Sequence, residues 1–136
     1  MTAKFIVVVS LVIERDGKVL VARRSLDSEH APGTWEGISG RLEAGESPII
    51  AVHREALEET GLTVEVIAPI DTFHFYRGDA REDAIGMTFH CKVVDGQPRL
   101  SREHDQFVWI TLKQLANYSL PDGLKKCIRC VLEKED

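Results

Sequence analysis

The chain has 136 residues and 43% hydrophobic content, enough for one domain around one core and too much for a disordered segment. Its formal net charge of -5 excludes a general binder of nucleic-acid polymers, which needs a basic surface to meet phosphates. It leaves a small phosphorylated ligand open, because a divalent cation neutralises carboxylates and phosphates together. Cys91, Cys127 and Cys130 form no disulfide framework and point to a reducing compartment, so a cytoplasmic setting is expected. The Cys127-x-x-Cys130 spacing has no second ligand pair and reads as a coincidence on a helix, not as a zinc half-site.

In chain order, the β-branched run over residues 4–14 reads as a buried strand. It lacks a cleavage site and is too short to span a membrane. Asp16-Gly17 predicts a tight hairpin turn into a second strand, Lys18 to Arg24. Arg23 and Arg24 close that strand, either as solvated charge or as a contact to phosphate or base. Residues 26–40 read as a loop, with a short strand at Ile38–Leu42. Ser47 fits an N-cap, Pro48 a first helical position and Gly61 a C′ position, which predicts a helix from about 48 to 60. On it Glu55, Glu58 and Glu59 share an arc, and Ile49, Val52, Ala56, Leu57 and Thr60 cover most of the rest. The acidic face is expected toward solvent.

A strand over Leu62–Phe75, irregular at Pro69, leads into a charged loop over His74–Asp83. A strand follows from Ala84 to Val94, then a turn at Asp95-Gly96, a polar loop over Leu100–Gln106 and a short strand at Phe107–Ile110. A short helix is expected within Leu112–Tyr118. A final helix runs from Pro121 to Lys134, with Leu124, Cys127, Ile128, Val131 and Leu132 on its apolar face. The expected fold is α+β, a single domain over residues 1–136 with a mixed sheet between helices.

The stretch from Gly40 to Leu62 carries the chemistry. Acids three and four residues apart repel one another on a helix, so structural need does not explain them. Arg54 can relieve part of the repulsion by pairing with Glu58. A glycine loop entering an acidic helix suits Mg2+, which binds a few carboxylates together with substrate phosphates. This points to metal-assisted attack of water on a phosphoanhydride.

Gly40, Glu46, Arg54, Glu55, Ala56, Leu57, Glu58, Glu59, Gly61 and Leu62 match the pattern Gly-x5-Glu-x7-Arg-Glu-U-x-Glu-Glu-x-Gly-U, where U is a bulky aliphatic. The stretch thus resembles the box of the Nudix hydrolases, in MutT-like form, with Ala56 the one departure. The resemblance implies an α/β/α sandwich and hydrolysis of nucleoside diphosphates linked to a group X, with Mg2+ or Mn2+. It implies Glu55 and Glu59 as metal ligands, and Glu58 as a further ligand or the group that handles water. The Ser39 carbonyl is implied as another ligand, Arg54 as the residue orienting the glutamates, and Glu46, Gly40 and Gly61 as structural.

Relatives often place one more carboxylate outside the box. Glu103, just before Phe107-Val108-Trp109-Ile110, is the first candidate, with Glu82 and Asp83 as rivals. For substrate, Arg23, Arg77 and Tyr76 are the candidates, and Phe73 and Phe75 serve as stacking surfaces or as core. MutT-type enzymes that clear oxidised guanine nucleotides read the base with an asparagine near the start of the last helix. Aligned on Trp109 and Leu120-Pro121, that position is Leu124, which argues against such a specialist. His53, His74, His90 and His104 have no metal-ligand spacing and read as structural. An isoprenoid diphosphate isomerase would need a cysteine at the site, whereas Cys91 sits in a strand. A silent nucleotide-binding module on the same fold is the alternative to an enzyme. The expected partner is a small nucleotide, with no membrane, in a monomer or homodimer.

Overall fold

The computed structural model describes residues 3–133. Strand β1 (Ile6–Arg15) turns at Asp16-Gly17 into β2 (Lys18–Arg24). Both turn residues have positive φ, 51° and 75°, as a tight hairpin of this hand demands. Strands β3 (Trp35–Glu36) and β4 (Ile38–Arg41) lead to helix α1 (Pro48–Thr60). The long hairpin β5 (Thr63–Arg77) and β6 (Glu82–Asp95) follows. The chain ends with β7 (His104–Ile110), a 3-10 turn at Leu115–Asn117 and helix α2 (Asp122–Glu133). Lys134, the expected end of the last helix, lies outside the described residues.

The expected loop over His74–Asp83 is mostly strand. His74–Arg77 extend β5, and Glu82 and Asp83 open β6, paired with Arg77 and Tyr76. The backbone ladder carries charged residues as readily as apolar ones when both strands continue. The polar stretch before Phe107 is likewise partly strand, because His104 and Gln106 pair with Arg24 and Arg23 on β2. The expected irregularity at Pro69 is present as register shifts at Val66/Ala68 and Pro69/Asp71.

The sheet is split by a wedge that creates the site. β1 and β2 pair only near their turn, at Glu14–Val19 and Arg15–Lys18, and then diverge. β4 takes the vacated edge of β1, pairing Val9 with Gly40 and Ser10 with Ser39. β3 takes the edge of β2, pairing Ala22 with Glu36. β6 runs parallel to β1 on its other side. Parallel pairing of β1 and β6 lets helices cover both faces, which is why these strands are apolar on both sides. Val9, Leu11, Ile13, Leu20, Ala22 and Ile38 pack toward α1, whereas Val12, Val19, Val21 and Ile110 pack toward α2. The result is an α/β/α sandwich.

Helix α1 has the expected limits. Ser47 Oγ accepts from the Ile50 N–H at 3.3 Å, and Gly61 has φ 76°. Its rotation differs from expectation. Ala51, Val52, Glu55, Ala56 and Thr60 are buried, whereas Ile49, Ile50 and Leu57 are exposed. Small residues let the helix approach the sheet closely, and Glu55 turns inward with them. The three acids therefore do not share one solvent face: Glu55 is buried, Glu59 is half-buried and Glu58 is exposed.

Two substitutions separate the helix caps. Ser47→Ala removes one N-cap bond and should cost about 1 kcal/mol in urea denaturation. Gly61→Ala should cost more, because a Cβ there would lie 2.9 Å from the Arg99 side chain and carry the positive φ as well.

Candidate active site

The site is assembled around Arg54. Its Nε donates to Glu46 Oε2 at 2.7 Å and its Nη2 to Glu46 Oε1 at 2.8 Å, a bidentate pair across the loop before α1. Nη1 donates to Glu55 Oε1 at 2.7 Å and to Glu58 Oε2 at 3.1 Å. Nη2 also reaches the Arg41 carbonyl at 2.9 Å, tying α1 to the end of β4. The Arg54 hydrogen bonds hold the Glu46 carboxyl at about 2, well below its usual range. Glu55 is raised, because burial outweighs the hydrogen bond from Arg54. Its carboxylate lies where a Cβ on Gly40 would be, so any side chain at residue 40 would displace it. The glycine is needed for this close approach, independent of its own backbone angles.

Glu59 stands one turn beyond Glu55. Burial, then the charges of Glu103 and Glu55, raise its carboxyl to about 7. The segment after β6 brings Glu103 there: Arg99 N–H donates to the Thr60 carbonyl at 2.9 Å, and Ser101 Oγ lies 3.5 Å from Glu59 Oε2. A carboxylate oxygen of Glu59, one of Glu103 and a ring nitrogen of His104 all lie within 4.8 Å of one another. His104 is buried, with Nε2 3.1 Å from Glu36 Oε2 and Nδ1 3.9 Å from Glu59 Oε2. Glu36 also accepts from Arg24 Nη1 at 3.2 Å. Burial raises the Glu36 carboxyl, but hydrogen bonds from His104 and Arg24 outweigh it, and the net shift is downward.

These groups line an open cleft of about 980 Å³ that includes Ser39, Gly40, Arg54, Glu55, Glu58, Glu59 and Glu103. Arg77 also lines it, whereas Arg23 and Tyr76 do not. Arg23 Nε is bound to Asp105 at 2.7 Å, and the Tyr76 ring lies under Arg81. Strand alternation places Arg77 and Phe75 on the cleft side and Tyr76 on the other. Of the rival acids, Asp83 is paired with His74 at 2.7 Å, and neither it nor Glu82 lines the cleft. Arg24, His30, Glu36 and Phe75 line it without having been singled out, and His104 adjoins it. Glu36 and Arg24 arrive through the β2–β3 pairing, which no local pattern reveals.

A second cavity of about 510 Å³ adjoins the cleft, sharing Ser39 and Glu36. Its floor is a polar row across three strands, Ser10, Thr88 and Asp71, paired in register. Phe73 forms a wall, its ring lying over Gly86 where a Cβ would clash. Leu124 closes the cavity from α2, packed on Gly37. Cys91 is far from this chemistry: it is fully buried in the core beneath α1, and burial pushes its thiol up to about 12. Cys127 is also buried, and neither it nor Cys130 joins a metal-ligand cluster among the described residues.

The donor set fits a hard divalent cation. Carboxylates are crowded on one side of Arg54, and burial, then the charges of Glu103 and Glu55, raise the Glu59 carboxyl to about 7. A folded-state carboxyl raised from 4.5 to about 7 binds protons that the unfolded chain has lost. The metal-free protein should therefore lose stability as pH rises from about 5 to 7.5, read from urea midpoints. Glu59→Gln should flatten that slope. Glu46, held at about 2, has the opposite sign and is already fully ionised in this window.

A family profile described as NUDIX domain matches residues 4–131. The chain is 34% identical over 119 residues to an octanoyltransferase of Myxococcus xanthus, covering 84% of this chain and 32% of that protein. It thus spans about a third of that relative's length. It is 34% identical over 121 residues to the CTP pyrophosphohydrolase of Escherichia coli K12, covering 86% and 84% of the two chains. Among solved structures, the E. coli ORF135 protein superposes with a TM-score of 0.74 at 29% identity, covering 96% of this chain and 91% of that one. The profile covers α1, every strand described, the Arg54 cluster and all but the last two residues of α2, and on this ground the chain belongs to the Nudix hydrolase family.

Proposed function

We propose that this protein is a metal-dependent pyrophosphohydrolase. Its substrate is a small nucleotide in which a nucleoside diphosphate is linked to a further phosphate or other group. The observation that carries this is the junction of two unlike spaces. An acidic cleft sized for phosphates and a cation opens, at Ser39 and Glu36, into an apolar cavity of about 510 Å³ with a polar floor. That volume falls in the range of small-ligand sites. A nucleoside entering it would place its phosphates at the carboxylates.

Within this reading, Glu55, Glu59 and the Ser39 carbonyl would hold Mg2+ or Mn2+, which when bound would supply Lewis acidity to a phosphoryl oxygen and make coordinated water more acidic. Arg54 locks the Glu55 and Glu58 rotamers, so these two carboxylates are in place before substrate arrives. Glu58 and Glu103, both exposed at the cleft, are placed to orient water and take its proton. Water then adds to phosphorus, the bridging P–O bond breaks and two phosphate products leave. Arg77 faces the phosphates, and Phe73 offers its ring to the base. Leu124 presents no hydrogen-bonding edge where MutT-type enzymes for oxidised guanine use an asparagine, so the base is read by Ser10, Thr88 and Asp71 instead.

A nucleotide panel with Mg2+ or Mn2+ tests the reading, beginning with CTP because the E. coli relative is named for it. Products should be a nucleoside monophosphate and pyrophosphate, or two monophosphates from an X-linked substrate. Nucleotide binding without any product would instead mark a silent binding module. Glu59→Gln should lower kcat/KM by about 100-fold or more with the fold intact by circular dichroism. Glu103→Gln should lower kcat, whereas Glu82→Gln should leave it unchanged.

A further inference from the structure

The environment of His104 is chemically incomplete. The side chain is only 3% exposed, and its Nδ1 is a buried polar atom without a hydrogen-bond partner among the described residues. Its Nε2 meets Glu36 Oε2 at 3.1 Å, and a carboxylate only accepts, so Nε2 carries the hydrogen. In that tautomer Nδ1 offers a bare lone pair. It is aimed at Glu59 Oε2, 3.9 Å away, another acceptor. An imidazole lone pair and a half-buried carboxylate oxygen facing each other at this distance lack a cation between them. A proton on Nδ1 would not bridge 3.9 Å, but a metal ion with bonds of ~2.1 Å reaches both atoms.

We infer that His104 Nδ1 is a ligand to a cation in the cleft, shared with Glu59 and Glu103, which makes this a mixed nitrogen–oxygen site. The inference rests on reading the cleft as a cation site. Three features support it. The three ligand atoms lie within 4.8 Å of one another. Glu36, itself held by Arg24, receives the far side of the ring, the carboxylate–histidine arrangement that orients metal-bound imidazoles. His104 opens β7 and is fixed in register against Arg24 of β2, so the ring is set by the sheet and not by a loop. An imidazole ligand favours first-row transition metals over Mg2+, and Mn2+ among them also accepts the carboxylates of this site. The protein should therefore prefer Mn2+ over Mg2+ by more than its carboxylates alone would give.

Electron paramagnetic resonance on the full chain with Mn2+ tests this without turnover. Echo-envelope modulation should show a 14N coupling that changes to the 15N pattern when histidine is 15N-labelled. His104→Gln keeps an amide near the Nε2 position for Glu36 and removes Nδ1. It should abolish the coupling and weaken Mn2+ binding roughly 10-fold or more, while Mg2+ binding weakens less. His30→Gln, altering the other histidine at the cleft, should leave the coupling intact, and this variant serves if His104→Gln does not fold. Bound Mn2+ without nitrogen coupling, or coupling lost in His30→Gln, would overturn the assignment while sparing the cation site. Failure of Mn2+ to bind at all would overturn both.

Discussion

The site depends on one guanidinium placed among acids that would otherwise repel one another. Arg54 spends its donors on Glu46, Glu55, Glu58 and the Arg41 carbonyl. The planar, fixed fork matters here. A lysine ammonium could neutralise a charge, but it could not hold Glu46 in two parallel bonds while directing a third at Glu55. Through these bonds the loop before α1, the helix itself and the end of β4 become one rigid unit. Glu59 and Glu103 make no bond to Arg54, and burial, then the charges of Glu103 and Glu55, raise the Glu59 carboxyl.

The second constraint is backbone geometry. Divergence of β1 from β2 opens a wedge, and the five residues from Trp35 to Ser39 cross it. That crossing puts Glu36 on one side and Ser39 on the other, and these two residues border both the acidic cleft and the apolar cavity. Gly40 must lack a side chain because Glu55 occupies its space, and Gly86 must lack one because Phe73 does. The positions of the Glu55 carboxylate and of the Phe73 ring are thus set by absent methyl groups as much as by the residues themselves. The cost is visible on α1. Turning Glu55 inward leaves Ile49, Ile50 and Leu57 in solvent, a rotation that hydrophobic periodicity alone would not choose.

Much of the fold was legible from local signals. The Asp16-Gly17 turn, the Ser47 cap, the Gly61 stop and the β-branched runs each express a preference confined to a few neighbouring residues, and all appear where expected. The Gly40–Leu62 spacing was legible for the same reason: a helix converts intervals of three and four residues into proximity. Longer hairpin ladders were less so. His74–Asp83 looks like a charged loop, because nothing within the segment reports that two strands continue to pair across it.

The chain's own order of residues therefore settles most of the secondary structure, the family and the group of acids around Arg54, since these follow from short-range spacing. The contacts of Glu36, Arg24 and His104 with the cleft follow instead from β2 pairing with β3 on one edge and β7 on the other. Those residues are separated by up to 80 positions, at which distance spacing carries no geometric information. Burial decides the rest. It turns Glu55 from a surface acid into a buried one, raises Glu59 and leaves one nitrogen of His104 without a partner. Solvent exclusion is a property of the assembled sandwich, and no single stretch of sequence contains it.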